Sequence, residues 1–280
     1  MINNVYLILC YTGVLMSLVV LAFIIEYHQI VPVYAHASPV SYSPQSNSVL
    51  VQGGEPSPNN VIIAFSERPE PKASYIRVTN SEGERIDNND YRITGNNERQ
   101  ATVSLDPEKL KPDVYSVSWL ALSRDDGHIT RSSYIFTIRE AAAPSTEDVI
   151  NNNTFSEQVE IDNVLLKYEI SPFYAGLNNN FMLTLSDTTA DNNPPINIRN
   201  VTWLFTNEQA GIGPIVATLE RVDNGTYSID GGYLSQAGEW DIRIVVQRTD
   251  AYDLNHSFDV QVNSTTNTAT PSNSSKSLST

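Results

Sequence analysis

The sequence predicts an all-β protein behind an apolar N-terminal segment, and three observations carry that reading. Short runs with a period of two recur along the chain, turn signals separate them, and no convincing amphipathic helical pattern follows residue 36. With 280 residues and 40% apolar side chains, the chain is long enough for one large domain or two modest ones with real cores.

The first element is Val5 to Ile25, 21 residues without a charge. Such a run is long enough to span a bilayer as a helix, and it also reads as the apolar part of a signal peptide. The first basic side chain is Arg68, and Glu26 follows the run, which suits an N-in, C-out orientation. Val33-Tyr34-Ala35 has a signal-peptidase pattern, so residues 1–35 are expected to be a cleaved signal peptide or an uncleaved anchor. Either reading exports the rest of the chain. Cys10, the single cysteine, lies in this segment, which leaves no disulfide and no thiolate ligand beyond it. The net charge of −15 argues against nucleic acid and against anionic membrane surfaces.

Beyond residue 36, strands are expected at Val61–Phe65, Tyr75–Thr79, Ala101–Leu105, Val114–Leu120 and Tyr134–Ile138. In the fourth, Tyr115, Val117 and Trp119 share a face; in the fifth, Tyr134, Phe136 and Ile138 do. Asn80-Ser81-Glu82-Gly83 and Lys111-Pro112-Asp113 are turn signals between them. Together these runs give a β-sandwich or barrel over 36–139. Residues 140–158 read as a linker by composition. A second strand-rich block, an immunoglobulin-like sandwich, covers 159–262. Its best strand is Trp240–Val246, and Val201–Phe205 and Phe258–Val262 also alternate. Residues 263–280 are Asn, Ser and Thr with few others, and are expected to be disordered.

Four histidines occur. His28 belongs to the leader. If cleavage follows Ala35, the α-amine and imidazole of His36 chelate one metal in a six-membered ring. Amine and imidazole nitrogens suit copper(II), which favours tetragonal N and O sets and heads the divalent affinity order. His128 supplies a second imidazole from the polar turn Ser123-Arg124-Asp125-Asp126-Gly127-His128. Asp126, two residues earlier, either ligates directly or orients the imidazole. His256 stands alone in sequence and reads as a surface residue. Asp87-Asn88-Asn89-Asp90 lacks the glycine and terminal glutamate of a calcium loop, and 87–97 reads as a loop.

The run of motifs over 36–139 resembles the CopC family of periplasmic copper-binding proteins. The residues concerned are His36-Ala37, Ser43-Pro44, Ile63-Ala64-Phe65-Ser66-Glu67, Leu110 to Trp119, Ser123 with Asp126-Gly127-His128, and Phe136-Thr137-Ile138. The resemblance implies a Greek-key β-barrel or sandwich that binds one copper(II) ion through His36, Asp126 and His128, joined in some members by Glu67. The turn is one residue longer than the common form, so Asp125 competes with Asp126; Asp126 keeps the Asp-Gly-His spacing. Met1, Met16 and Met182 all lie outside 36–139, so a methionine copper(I) site is not expected. The second block resembles the YtkA-like β domain of copper-handling membrane proteins, through Gly176-Leu177-Asn178, Leu185-Ser186-Asp187, Asn224-Gly225-Thr226-Tyr227 and Gly238-Glu239-Trp240.

These readings point to a non-enzymatic copper carrier or buffer outside the cytoplasmic membrane. It would serve copper resistance or uptake, with a copper transporter or copper enzyme in the membrane as partner. The alternatives are an oxidative copper enzyme built on an N-terminal histidine chelate, and a metal-free surface sandwich. Sequons at Asn152, Asn200, Asn224, Asn255, Asn263 and Asn273 are candidate glycosylation points in an exported chain.

Overall fold

Alternating apolar residues become strands throughout the computed structural model, which describes residues 36–54, 58–140, 153–189 and 196–265. The candidate leader, most of the candidate linker and the tail beyond 265 lie outside the described residues. The described elements are seventeen strands, with no α-helix among them.

The first eight are β1 (Pro39–Ser43), β2 (Ser48–Val51), β3 (Asn60–Phe65), β4 (Tyr75–Thr79), β5 (Arg92–Thr94), β6 (Gln100–Ser104), β7 (Asp113–Leu122) and β8 (Ile129–Arg139). One antiparallel sheet runs β1-β3-β6-β5. The facing strands run β4-β7-β8, with β2 laid parallel along the end of β8. The expected periodicity places the core. Val61, Ile63 and Phe65 from one sheet meet Tyr115, Val117, Trp119, Tyr134 and Phe136 from the other, all buried. Phe65 meets Trp119 edge-on with centroids 5.4 Å apart. The segment read as a loop over 87–97 contains β5. Its Asp87 is buried, accepting from the Val78 amide at 2.8 Å and pairing with Arg85, and so is structural.

The remaining strands are β9 (Phe155–Ile161), β10 (Val164–Ser171), β11 (Asn179–Asp187), β12 (Ile198–Asn207), β13 (Ile212–Thr218), β14 (Glu220–Asp223), β15 (Thr226–Gly231), β16 (Gly238–Arg248) and β17 (Leu254–Val262). A sheet ordered β14-β15-β11-β10-β9 packs on β17-β16-β12-β13. Leu166, Tyr168, Phe181 and Leu183 meet Trp203, Phe205, Trp240 and Ile242 in its core. Strand β9 begins at Phe155, inside the stretch read by composition as linker. Phe155 stacks on Phe173 and Phe258, with centroids 5.2 and 5.7 Å away, and this anchors the otherwise polar edge strand.

The two blocks meet along one continuous sheet. Strand β13 lies parallel to β8, Ile215 opposite Ser133, and the described residues from His36 onward belong to a single compact unit. The face of β7–β8 turned away from the first core carries Val114, Ser116, Ser118, Ser133 and Ile135. Val114 and Ile135 join the second core. The hydroxyls pair in a buried seam. Ser116 Oγ donates to Ser235 Oγ at 2.6 Å, Ser118 and Ser133 share a bond of 2.9 Å, and Ser133 Oγ accepts from the Gly213 amide at 2.8 Å. Leaving such a group buried without a partner costs about 1–3 kcal/mol. Gly232 permits the close approach: a Cβ there would lie 2.7 Å from the Val114 methyls.

Candidate metal centre

The turn between β7 and β8 is built around one hydroxyl. Ser123 Oγ accepts the amides of Asp125 and Asp126 at 3.0 and 3.2 Å and donates to Glu67 Oε2 at 2.6 Å. The Ser123 amide reaches the His128 carbonyl at 2.8 Å, closing the turn. Gly127 has φ of 76°, a left-handed conformation that favours glycine at this point.

The turn leaves Asp126 and His128 side by side. Asp126 Oδ1 accepts the His128 amide at 2.9 Å, and Oδ2 lies 2.9 Å from His128 Nδ1. The same Oδ2 lies 3.2 Å from Nδ1 of His36, ninety positions earlier in the chain. The two imidazole centroids are 4.5 Å apart. The His128 amide, above all, and the two imidazoles hold the Asp126 carboxyl at about 2, with burial opposing them. It is therefore a charged acceptor throughout the physiological range. All three side chains reach solvent, with side-chain exposures of 48% for His36, 25% for Asp126 and 63% for His128.

His36 is held by its backbone. Its carbonyl accepts from Ser66 Oγ and from the Ser38 amide, both at 2.7 Å. Ala37 is fully buried in the first core, and its carbonyl accepts from Thr130 Oγ1 at 2.7 Å. The imidazole is thereby carried to the rim beside β8.

Three consecutive residues after β3 tie these parts together: Ser66 holds His36, Glu67 holds Ser123, and Arg68 holds Asp125. The Arg68 amide and Nε donate to the Asp125 carboxylate at 3.0 and 2.8 Å, and Nη2 joins them. This pairing, chiefly the Arg68 hydrogen bonds, lowers the Asp125 pKa. Of the two aspartates in the lengthened turn, Asp125 is thus engaged by a guanidinium, and Asp126 faces the histidines.

Among the described residues, His36, Asp126 and His128 form one group whose ligand atoms lie within 4.8 Å of one another. Two ligands on opposite sides of an ion, each bonded at about 2 Å, lie about 4 Å apart. A small closure therefore suffices. Nδ1 of His36, the ring nitrogen that closes a six-membered chelate with its own α-amine, is the atom aimed at Asp126. Glu67 falls outside the group, its carboxylate taken by Ser123. In the sequence Ser66 and Ser123 stand within the motif run and Arg68 is only the first basic side chain; nothing local marks the tasks of these three or of Thr130. Their partners lie 28 to 93 residues away.

His256, read as a lone surface residue, is half-buried with a partner. Its Nε2 lies 2.9 Å from the Tyr168 hydroxyl, which donates to Glu157 at 3.0 Å. Strand β17 brings it over the open edge of the second sandwich, against Phe258.

Residues 40–139 match the family model of the CopC domain. This part of the chain is a CopC domain. A 140-residue stretch is 32% identical to the copper transport protein CutJ of Bacillus subtilis, covering 50% of this chain and 25% of that protein. The chain thus spans about a quarter of that relative's length. The crystal structure of CopC from Methylosinus trichosporium OB3b aligns at 26% identity over 39% of this chain and 99% of that one, with a TM-score of 0.34. PcoC from Escherichia coli, described as a methionine-rich copper resistance protein, aligns at 22% identity over 38% of this chain and 100% of that one, with a TM-score of 0.30.

Proposed function

We propose that the CopC domain binds one copper(II) ion through His36, Asp126 and His128, and that the protein carries or buffers copper outside the cytoplasmic membrane. It would hand the ion to a copper transporter or copper enzyme in the membrane. The observation that carries this reading is the convergence of two imidazoles from separate segments on one ionised carboxylate oxygen. Two imidazoles and a carboxylate are an N,O set that suits copper(II), and no methionine falls in 36–139 to favour copper(I). The similarity to a copper transport protein accords with a handling role. The exposed donors suit a site that gains and releases its ion. Glu67 supports the turn through Ser123.

The α-amine of His36 is the fourth donor if the bond between Ala35 and His36 is cut; otherwise that nitrogen is an amide. Titration of protein from native cells with copper(II), followed by EPR, tests the reading. One equivalent should give a tetragonal signal with nitrogen couplings, and His128→Ala should lose it. A signal indistinguishable from free copper would favour the metal-free sandwich. Rapid peroxide formation with a reductant would favour an oxidative enzyme.

A further inference from the structure

The outer face of β4-β7-β8 is covered by the second block at one end only. Residues directly opposite in an antiparallel sheet point to the same side. Thr79, Ser116 and Ile135 form a covered row, reached by Gln236 and Ser235. Two rows nearer the metal turn, Tyr75, Leu120 and Arg131 lie opposite one another, and beyond them Leu122 faces Ile129. This end is open. Tyr75 is 46% exposed and Ile129 62%, and Ile129 directly follows His128. A ledge formed by Ile129, Leu122, Leu120 and Tyr75, with the exposed Arg131 on it as its one cation, therefore runs from the metal turn towards the second block.

The ledge continues into a groove. A cleft of about 410 Å³ is lined by Tyr75 and Arg131 on one side and by Glu208 and Pro214 on the other. Through Thr206 and Glu208 it adjoins a cavity of about 470 Å³, also lined by Glu239, Asp241 and Asp259. No lysine or arginine lines that cavity; Arg243, farther along β16, stands outside it. Asp241 and Asp259 are direct cross-strand partners. Like charges so placed repel, and a cation between them removes the penalty.

We propose that this surface docks an extended segment of a partner protein, with apolar side chains on the ledge and lysine or arginine in the acidic cavity. The charge and the apolar face select that chemistry, and the ledge brings the partner to the residue beside His128. The contact rests on the copper reading only for what is exchanged there.

The test uses the full chain and three labelled ten-residue peptides, each five residues of one kind and then five of the other (Val-Lys, Val-Glu and Ser-Lys), followed by fluorescence anisotropy. The Val-Lys peptide should bind, with the other two at least tenfold weaker. Ile129→Ser with Tyr75→Ser should weaken it at least tenfold, and so should Asp241→Asn with Asp259→Asn. Glu220→Gln with Asp223→Asn changes the net charge equally at the exposed strand β14 and should leave binding unchanged. No binding of Val-Lys, equal binding of Ser-Lys, or equal losses in the β14 and cavity variants would each overturn the proposal. Copper EPR on the same variants separates the two readings. A retained signal with lost peptide binding supports docking. Retained peptide binding in a chain without the copper signal would sink the copper reading alone.

Discussion

His128 and His256 each sit in or beside a β-hairpin, each alone in its stretch of sequence, and the fold puts them to opposite uses. His128 stands on a tight turn at the rim, and its partner carboxylate is shared with a second imidazole. His256 lies along a strand, and its partner is a Tyr168 hydroxyl tied to Glu157. The first arrangement leaves donor atoms converging on a point that solvent can reach. The second spends its hydrogen bonds closing the edge of a sandwich over Phe155 and Phe258. Convergence and access, more than the presence of histidine, distinguish a candidate metal site from a structural contact.

The largest expected effect separates the two directly. His128→Ala should lower copper(II) affinity on the order of a hundredfold or more, because losing even a supporting residue typically costs ~10–100-fold. The thermal midpoint should stay where it is, since the side chain is exposed. Competition with a chelator of known strength reads the first, and a melting curve the second. His256→Ala should leave affinity untouched; a loss equal to that of His128→Ala would break the comparison.

Arg68→Gln comes next. Freed from the guanidinium, Asp125 becomes a rival for Asp126, and affinity should drop about tenfold, with altered EPR parameters as the mark of a changed ligand set. An unchanged spectrum would show that the turn keeps its shape without the pair. Tyr168→Phe should destabilise the fold by about 1–2 kcal/mol, since a hydroxyl serving two partners is lost. Chemical denaturation measures this, with copper affinity expected to stay constant.

The smallest effect is in pH dependence, and its two windows differ. Burial holds His256 below the ordinary histidine value of 6.5, so the unfolded chain takes up its proton first. Its contribution is present above that value and fades as pH falls through and below it. Asp126 is lowered to about 2, so its contribution persists to the ordinary carboxylate range of about 3.9 and fades only as pH drops from there towards 2. Denaturation across pH should show the upper step vanish in His256→Gln and the lower one shrink in Asp126→Asn. An upper step that survives His256→Gln would assign it elsewhere.

Much of the strand pattern was legible. Tyr75–Thr79 is β4, and Trp240–Val246 lies within β16, because alternation records which side of a strand is dry. The edge strands β1, β9 and β14 were not, since their exposed faces carry little apolar signal. The outer face of β7 misleads for a related reason. Ser116 and Ser118 alternate with apolar neighbours as solvent-facing residues do, yet both are buried against the second block. Hydroxyls satisfied by hydroxyls leave no hydrophobic trace in a sequence.

By itself, the sequence determined the β class, the uncharged apolar run of Val5–Ile25 and the Asp126-Gly127-His128 spacing, because each depends on residues near one another in the chain. Only the tertiary structure decided that His36 meets His128 and that Arg68 removes Asp125 from contention. It also decided that Glu67 serves Ser123 and that His256 belongs to a packed edge. Those outcomes depend on which sheet lies over which, and local periodicity does not encode that.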